Sequence, residues 1–161
     1  MGLTEWLKGF RELHEQARRG GLSGRELTDY HAARDELARA LLATQRIALK
    51  PGQRPRRVLR VARALQADLE FHDGSERAMT LDVSAGGFAV LLARPPGVGD
   101  EVRVSLRIPG DEPIRGSVRV VGVKRQVGNA YACFEFVGLD AIEAERLESF
   151  VFDAVLAQLK S

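Results

Sequence analysis

Two short groups of residues carry functional groups at spacings that suit a ligand. Arg56 and Arg60 are separated by three residues in "RRVLR", and further along "DVSAGG" brings Asp82, Ser84 and Gly87 together. A guanidinium fork can engage two phosphate oxygens at once, and its plane stacks on purines in a way that lysine cannot. A carboxylate such as Asp82 accepts hydrogens from a guanine edge, and a hydroxyl such as Ser84 donates or accepts beside it. Glycine at 87 lets the backbone turn tightly or a ligand come close. The chemistry on offer is binding of a guanine-bearing phosphate compound. Each group also has a plainer reading, the arginines as a solvated linker and the cluster as a hairpin turn.

The charge distribution favours the first reading. The chain of 161 residues has a formal net charge of +2, but that figure conceals a division. Residues 1–50 hold nine Lys and Arg against seven acids, residues 51–63 hold five arginines and no acid, and residues 64–161 hold ten basic residues and fifteen acids. The basic character is therefore one short arm beside a mildly acidic body. Such a localised cationic segment suits a discrete anionic ligand, whereas a uniformly basic surface would suit nucleic acid in general.

The elements that must position these groups follow from periodicity. Leu3, Trp6, Leu7, Phe10, Leu13 and Ala17 follow helical spacing, and "RRGG" at residues 18–21 supplies terminal cations and a glycine stop. "SGRE" from Ser23 to Glu26 fits a capping box, and Leu27, Tyr30, Ala33, Leu37, Ala40 and Leu41 continue a second apolar stripe to about Ile47. The short link predicts an antiparallel helical hairpin over residues 1–50, a form suited to packing on itself, a copy or a partner protein. Pro51, Gly52 and Pro55 then break any helix, so residues 51–63 read as an extended, arginine-rich arm.

Beyond the arm the period changes to two. Leu65 to Phe71, Arg77 to Leu81, Gly87 to Leu92, Val102 to Ile108, Ile114 to Lys124 and Ala130 to Val137 read as strands joined by short turns. Six such strands predict a mainly β fold, a small antiparallel barrel within residues 64–161, whose closure would remove exposed edges. The end is helical, with Asp140 and Glu143 as a second capping signature and Leu147, Phe150, Val151 and Ala154 as a stripe.

Constellations for catalysis or for a metal are not evident. His14, His31 and His72 lie far apart and read as surface or helix-face residues, and no nucleophile elbow, phosphate loop or dinucleotide fingerprint occurs. The expectation is a protein that is not an enzyme and needs no cofactor. The single cysteine, Cys133, reads as a small buried hydrophobe in "YACFEF". The longest apolar run falls well short of a bilayer span, and the N-terminus lacks the pattern of an export signal or a myristoylation site, so the expected location is the cytoplasm.

The spacing of Arg56 and Arg60, followed by Asp82, Ser84 and Gly87 on the next hairpin, resembles the PilZ domain family, bacterial receptors for the second messenger cyclic di-GMP. The R-x-x-x-R arm and the [D/N]-x-S-x-x-G motif are both matched without substitution. The ending "ACFEFVGLDAIEAERLESFV" is similar to the family's last strand and closing helix. The resemblance covers residues 54–159 and leaves the helical hairpin outside it. It implies a six-stranded PilZ-type barrel with a C-terminal helix, and cyclic di-GMP as the ligand. The arm's arginines would engage phosphate and guanine while Asp82 and Ser84 contact the base, with Arg57 placed to share the arm's contacts. It also implies regulation of a partner, in motility or biofilm formation. Two other readings remain, a nucleic-acid binder whose arm tracks phosphates and a pure protein-interaction module built on the hairpin. Against nucleic acid stand the lack of aromatic residues on the arm and the acidic body behind it.

Overall fold

Residues 2–47 and 59–159 are described in the computed structural model. They fall into two compact units, one ending at Leu59 and the other beginning at Arg60. The first contains helices α1 (Leu3–Arg18) and α2 (Gly24–Ile47). Helical spacing lines Trp6, Phe10 and His14 along α1, where Trp6 and Phe10 stack almost parallel with centroids 5.6 Å apart. Phe10 then meets Tyr30 of α2 at 5.7 Å. Gly20 ends the first helix at φ 72, a conformation glycine adopts without strain.

At the start of α2 the Glu26 side chain reaches back to accept from the Ser23 backbone N–H at 3.3 Å. The Ser23 hydroxyl donates to that same carboxylate at 2.8 Å, so half of the expected capping box forms and the serine is held by a charge-assisted bond. His14, expected on a helix surface, is buried. The reason is a hydrogen bond of 2.6 Å between its Nδ1 and the Tyr30 hydroxyl, a pairing across two helices that periodicity does not reveal. The buried stripe of α2 also differs from the expected one. Tyr30, Arg34 and Leu37 are buried while Leu27 and Ala40 are exposed, and the Arg34 guanidinium lies 5.3 Å from the Tyr30 ring centroid.

Tyr30→Phe leaves the ring stack in place and removes the hydroxyl partner of a buried imidazole, so it should destabilise the hairpin by about 1–2 kcal/mol. Trp6 is the chain's one tryptophan and stacks within this unit, so urea unfolding followed by its fluorescence reports on the hairpin directly. A midpoint equal to wild type would show that the bond contributes nothing.

The second unit contains β1 (Arg60–Val61), β2 (Gln66–Phe71), β3 (Gly74–Ser84), β4 (Gly87–Leu92), β5 (Glu101–Leu106), β6 (Ile114–Gln126), β7 (Asn129–Val137) and α3 (Ala141–Gln158). Six strands close a ring in the order β3-β2-β5-β6-β7-β4, with β4 pairing back onto β3, and every pairing is antiparallel. This is the expected mainly β fold, a closed six-stranded barrel with a C-terminal helix, preceded in the chain by a helical hairpin. Inward residues such as Leu69, Val83, Val104, Val118 and Ala132 are buried. Phe88 and Phe134, paired directly across β4 and β7, stack with centroids 5.3 Å apart. Helix α3 packs against β1, β3 and β6, burying Leu147, Val151 and Ala154 of the expected stripe.

At the start of α3, Asp140 caps the helix by accepting from Ile142 N–H at 2.7 Å. Glu143 does not reach back as the sequence suggests. It pairs with Arg146 at 2.8 Å, because a guanidinium one turn on is a stronger partner than a backbone amide. Arg146 also engages Asp111 at 3.2 Å and the Glu112 carbonyl, tying the β5–β6 loop to the helix. No helix among the described residues is long and apolar enough to cross a membrane.

Two irregularities shape the outer surface. In β3 the register shifts between Thr80 and Asp82, so Leu81 is an extra residue, and in β6 it shifts between Val120 and Gly122, so Val121 is extra. A bulge puts two successive residues on one face. Thr80 points inward and is buried, and without the bulge Asp82 would point inward too. With it, Asp82 pairs beside Ala89 on the outer face.

Candidate ligand-binding site

The candidate site lies where β1, β3 and β4 meet. Arg60, expected in an extended arm, is the first residue of β1 and pairs with Ser84, while Val61 pairs with Val83. The chain is latched there by Thr80, a buried side chain on β3. Its hydroxyl donates to the Arg63 carbonyl at 2.5 Å and accepts from Leu65 N–H at 2.8 Å. These bonds hold residues 60–65 along β3 and so fix the origin of the Arg60 side chain. Arg56, Arg54 and Arg57 lie outside the described residues.

Ser84 and Gly87 form the closing pair of a hairpin whose two turn residues are Ala85 and Gly86. The Ser84 hydroxyl accepts from both Gly86 N–H and Gly87 N–H at 3.2 Å, and its oxygen lies 3.4 Å from the Gly87 carbonyl, to which it can donate. Serine here braces the turn from within, which accounts for its burial. Gly87 is required by close backbone approach. A Cβ there would overlap the Phe134 carbonyl oxygen and come within 3.1 Å of Glu135 Cα.

Arg60 and Asp82 face each other, with the guanidinium 3.8 Å from the carboxylate and side chains 37% and 23% exposed. A pair this open and this long is weak, so a ligand could replace either partner at small cost. The structure thus brings Arg60, Asp82, Ser84 and Gly87 together at one end of the outer barrel face.

Reasoning from sequence missed a neighbour. Strand pairing sets Asp82, Ala89, Cys133 and Gly122 in one outer row across β3, β4, β7 and β6, and sets Leu91, Tyr131 and Lys124 in the next. Cys133, expected to be buried, is half-exposed on this face, because inward positions on β7 fall to Ala132 and Phe134 instead. Burial, followed by hydrogen bonding with the Cys133 thiol, raises the Tyr131 phenol above its ordinary value. The Asp82 carboxylate acts in the same direction and Arg60 opposes it. The alternation of "NAYACFEF" puts Tyr131 and Cys133 on one face, but only the register across β4 places that face beside Asp82.

A separate cavity of about 280 Å³ lies at the β2–β3 turn and the β4–β5 loop, lined in part by Asp73, Glu76, Asp100 and Glu101. Its carboxylates disfavour an anion. Among the described residues no cluster of His, Cys, Asp and Glu is arranged to hold a metal ion.

Residues 53–153 match the PilZ domain, and the chain belongs to that family. Among solved structures, the Bacillus subtilis inhibitor of motility MotI/DgrA superposes with a TM-score of 0.60 at 21% identity, over 67% of this chain and 54% of that one. YcgR from Escherichia coli, solved in complex with c-di-GMP, gives 0.57 at 16% identity over 64% of this chain and 47% of that one. The PilZ domain of YcgR with c-di-GMP gives 0.56 at 14% identity over 65% of this chain and 95% of that one. At these identities the likeness is one of fold, and the chain spans about half the length of the first two proteins. No curated protein matches the sequence.

Proposed function

We propose that this chain is a receptor for cyclic di-GMP, without enzymatic activity of its own, that passes ligand binding on to a protein partner. The observation that carries the reading is the convergence of Arg60, Asp82, Ser84 and Gly87 at one end of the barrel's outer face. Membership of the PilZ family supports it, as does likeness of fold to proteins solved with c-di-GMP. In this reading Arg60, with Arg56 from the arm, engages phosphate and guanine. Asp82 accepts from the guanine Watson–Crick edge, and Ser84 acts both through the turn it braces and through its hydroxyl. Gly87 keeps β4 close to β7 so that the turn stays low and the ligand can lie against it. The helical hairpin is the candidate surface for a partner or a second copy, in a soluble, cytoplasmic protein.

Calorimetric titration of the purified chain with cyclic di-GMP tests the proposal. Saturable binding that is weakened by Asp82→Ala, while weak affinity for unrelated polyanions stays the same, is the expected result, since base-edge contacts carry selectivity and phosphate contacts carry charge. The competing nucleic-acid reading predicts affinity for generic polyanions that falls steeply with salt and ignores Asp82. Absence of nucleotide binding would favour a pure interaction module.

A further inference from the structure

Guanine presents a hydrogen-bond donor, N1–H, directly beside an acceptor, O6, and adenine presents the opposite pattern at the same two positions. A protein that distinguishes them needs an acceptor and a donor side by side. At the candidate site Asp82 is the acceptor. The outer-face rows set by strand pairing put Tyr131 one row and two strands from Asp82, with Ala89 and Leu91 of the intervening strand β4 and the short Cys133 side chain around the line between them. Ala89 has no exposed surface although it points outward from the barrel, so larger side chains of the outer face around it, among which the register puts Tyr131 and Leu91, cover it.

We propose that Tyr131 is a specificity-determining residue of this site, its phenolic O–H donating to guanine O6 while Asp82 accepts from N1–H and the exocyclic amine. The assignment rests on cyclic di-GMP being the ligand. Two features favour it. Tyr131 and Cys133 lie two residues apart on the outer face of β7, and a thiol is a weaker hydrogen-bond partner for the phenol than a guanine carbonyl oxygen would be. Burial and the Asp82 carboxylate both hold the phenol in its protonated, donating form. Arg60 remains free to turn from Asp82 towards phosphate, because once the base occupies Asp82 the carboxylate keeps hydrogen-bond partners without it.

The test is calorimetry on the full chain with cyclic di-GMP, cyclic di-AMP and the inosine analogue cyclic di-IMP, which retains N1–H and O6 but lacks the exocyclic amine. Tyr131→Phe keeps the ring and the packing, so thermal unfolding should match wild type. It should weaken cyclic di-GMP and cyclic di-IMP binding about tenfold each and leave the weaker cyclic di-AMP binding where it was. Wild type should prefer cyclic di-IMP to cyclic di-AMP, a comparison that needs no variant. If Asp82→Ala loses cyclic di-GMP while Tyr131→Phe binds it as wild type does, Tyr131 has no such role and the receptor reading stands. An equal loss for all three nucleotides would also overturn the role, because it would mark general damage to the site. If wild type binds no cyclic di-GMP, both the role and the receptor reading are wrong.

Discussion

Gly87→Ala should unfold the barrel at a markedly lower temperature and remove ligand binding with it. A methyl group at this position would lie deep inside the contact radius of the Phe134 carbonyl oxygen, and 3.0 Å from the same carbonyl carbon. Both obstacles are backbone, and no flexible side chain can give way. Strands β4 and β7 would have to part at the Gly87–Glu135 pair, immediately beside the Phe88–Phe134 stack that fills this part of the core. Overpacking of this kind costs roughly 2–3 kcal/mol, which in a domain of this size lowers the melting temperature by about 10 °C or more. Gly128→Ala is the informative comparison. That glycine has φ 84 in the β6–β7 turn with nothing near its absent Cβ, so alanine there meets conformational strain alone. It should cost about 1–2 kcal/mol and leave binding intact. Melting curves read by circular dichroism check both, and a Gly87→Ala protein as stable as Gly128→Ala would show that β4 has room to move.

The elements of this fold are legible in the sequence because each rests on local signals. Period-two alternation marks β2, β4, β5 and β7 within a residue or two, and Ser23 and Asp140 mark the starts of α2 and α3. What was hidden depends on pairing between distant segments. The extra residues Leu81 and Val121 break no propensity rule, yet they decide that Asp82 and Gly122 face outward. Burial of His14 depends on a tyrosine sixteen residues away in another helix. Tyr131 joins the site only through the register of β4 between β3 and β7, which no single strand encodes. The candidate ligand residues were readable as types and spacing. The hairpin turn at Asp82 to Gly87, with a serine side chain bonding nearby backbone, was readable too, but the position of Arg60 on a strand was not.

Arg56→Ala and Arg60→Ala should each weaken cyclic di-GMP binding about tenfold to a hundredfold, and together they should take it beyond detection, because each removes a charge-assisted fork worth about 1.5–3 kcal/mol. Stability should hardly change. The Arg60–Asp82 pair is open to solvent at 3.8 Å and contributes at most about 1 kcal/mol, while β1 is held by its pairing with β3 and by Thr80. The pair makes a double-mutant cycle informative. Without ligand, Arg60 and Asp82 neutralise each other, so Asp82→Ala leaves a freed guanidinium on the barrel surface. Weak, salt-sensitive affinity for unrelated polyanions should then hold, even as affinity for cyclic di-GMP falls. Arg60→Ala should lower both. If the two substitutions act through a shared ligand, their effects on cyclic di-GMP should sum to more than the double variant loses, since removing one contact already misplaces the ligand for the other. Strict additivity would mean that Arg60 and Asp82 serve separate ligand molecules or that one of them is a bystander. Unchanged affinity in the Arg56→Ala, Arg60→Ala and double variants would remove the arm from the site altogether and leave Asp82 and Tyr131 to account for binding alone.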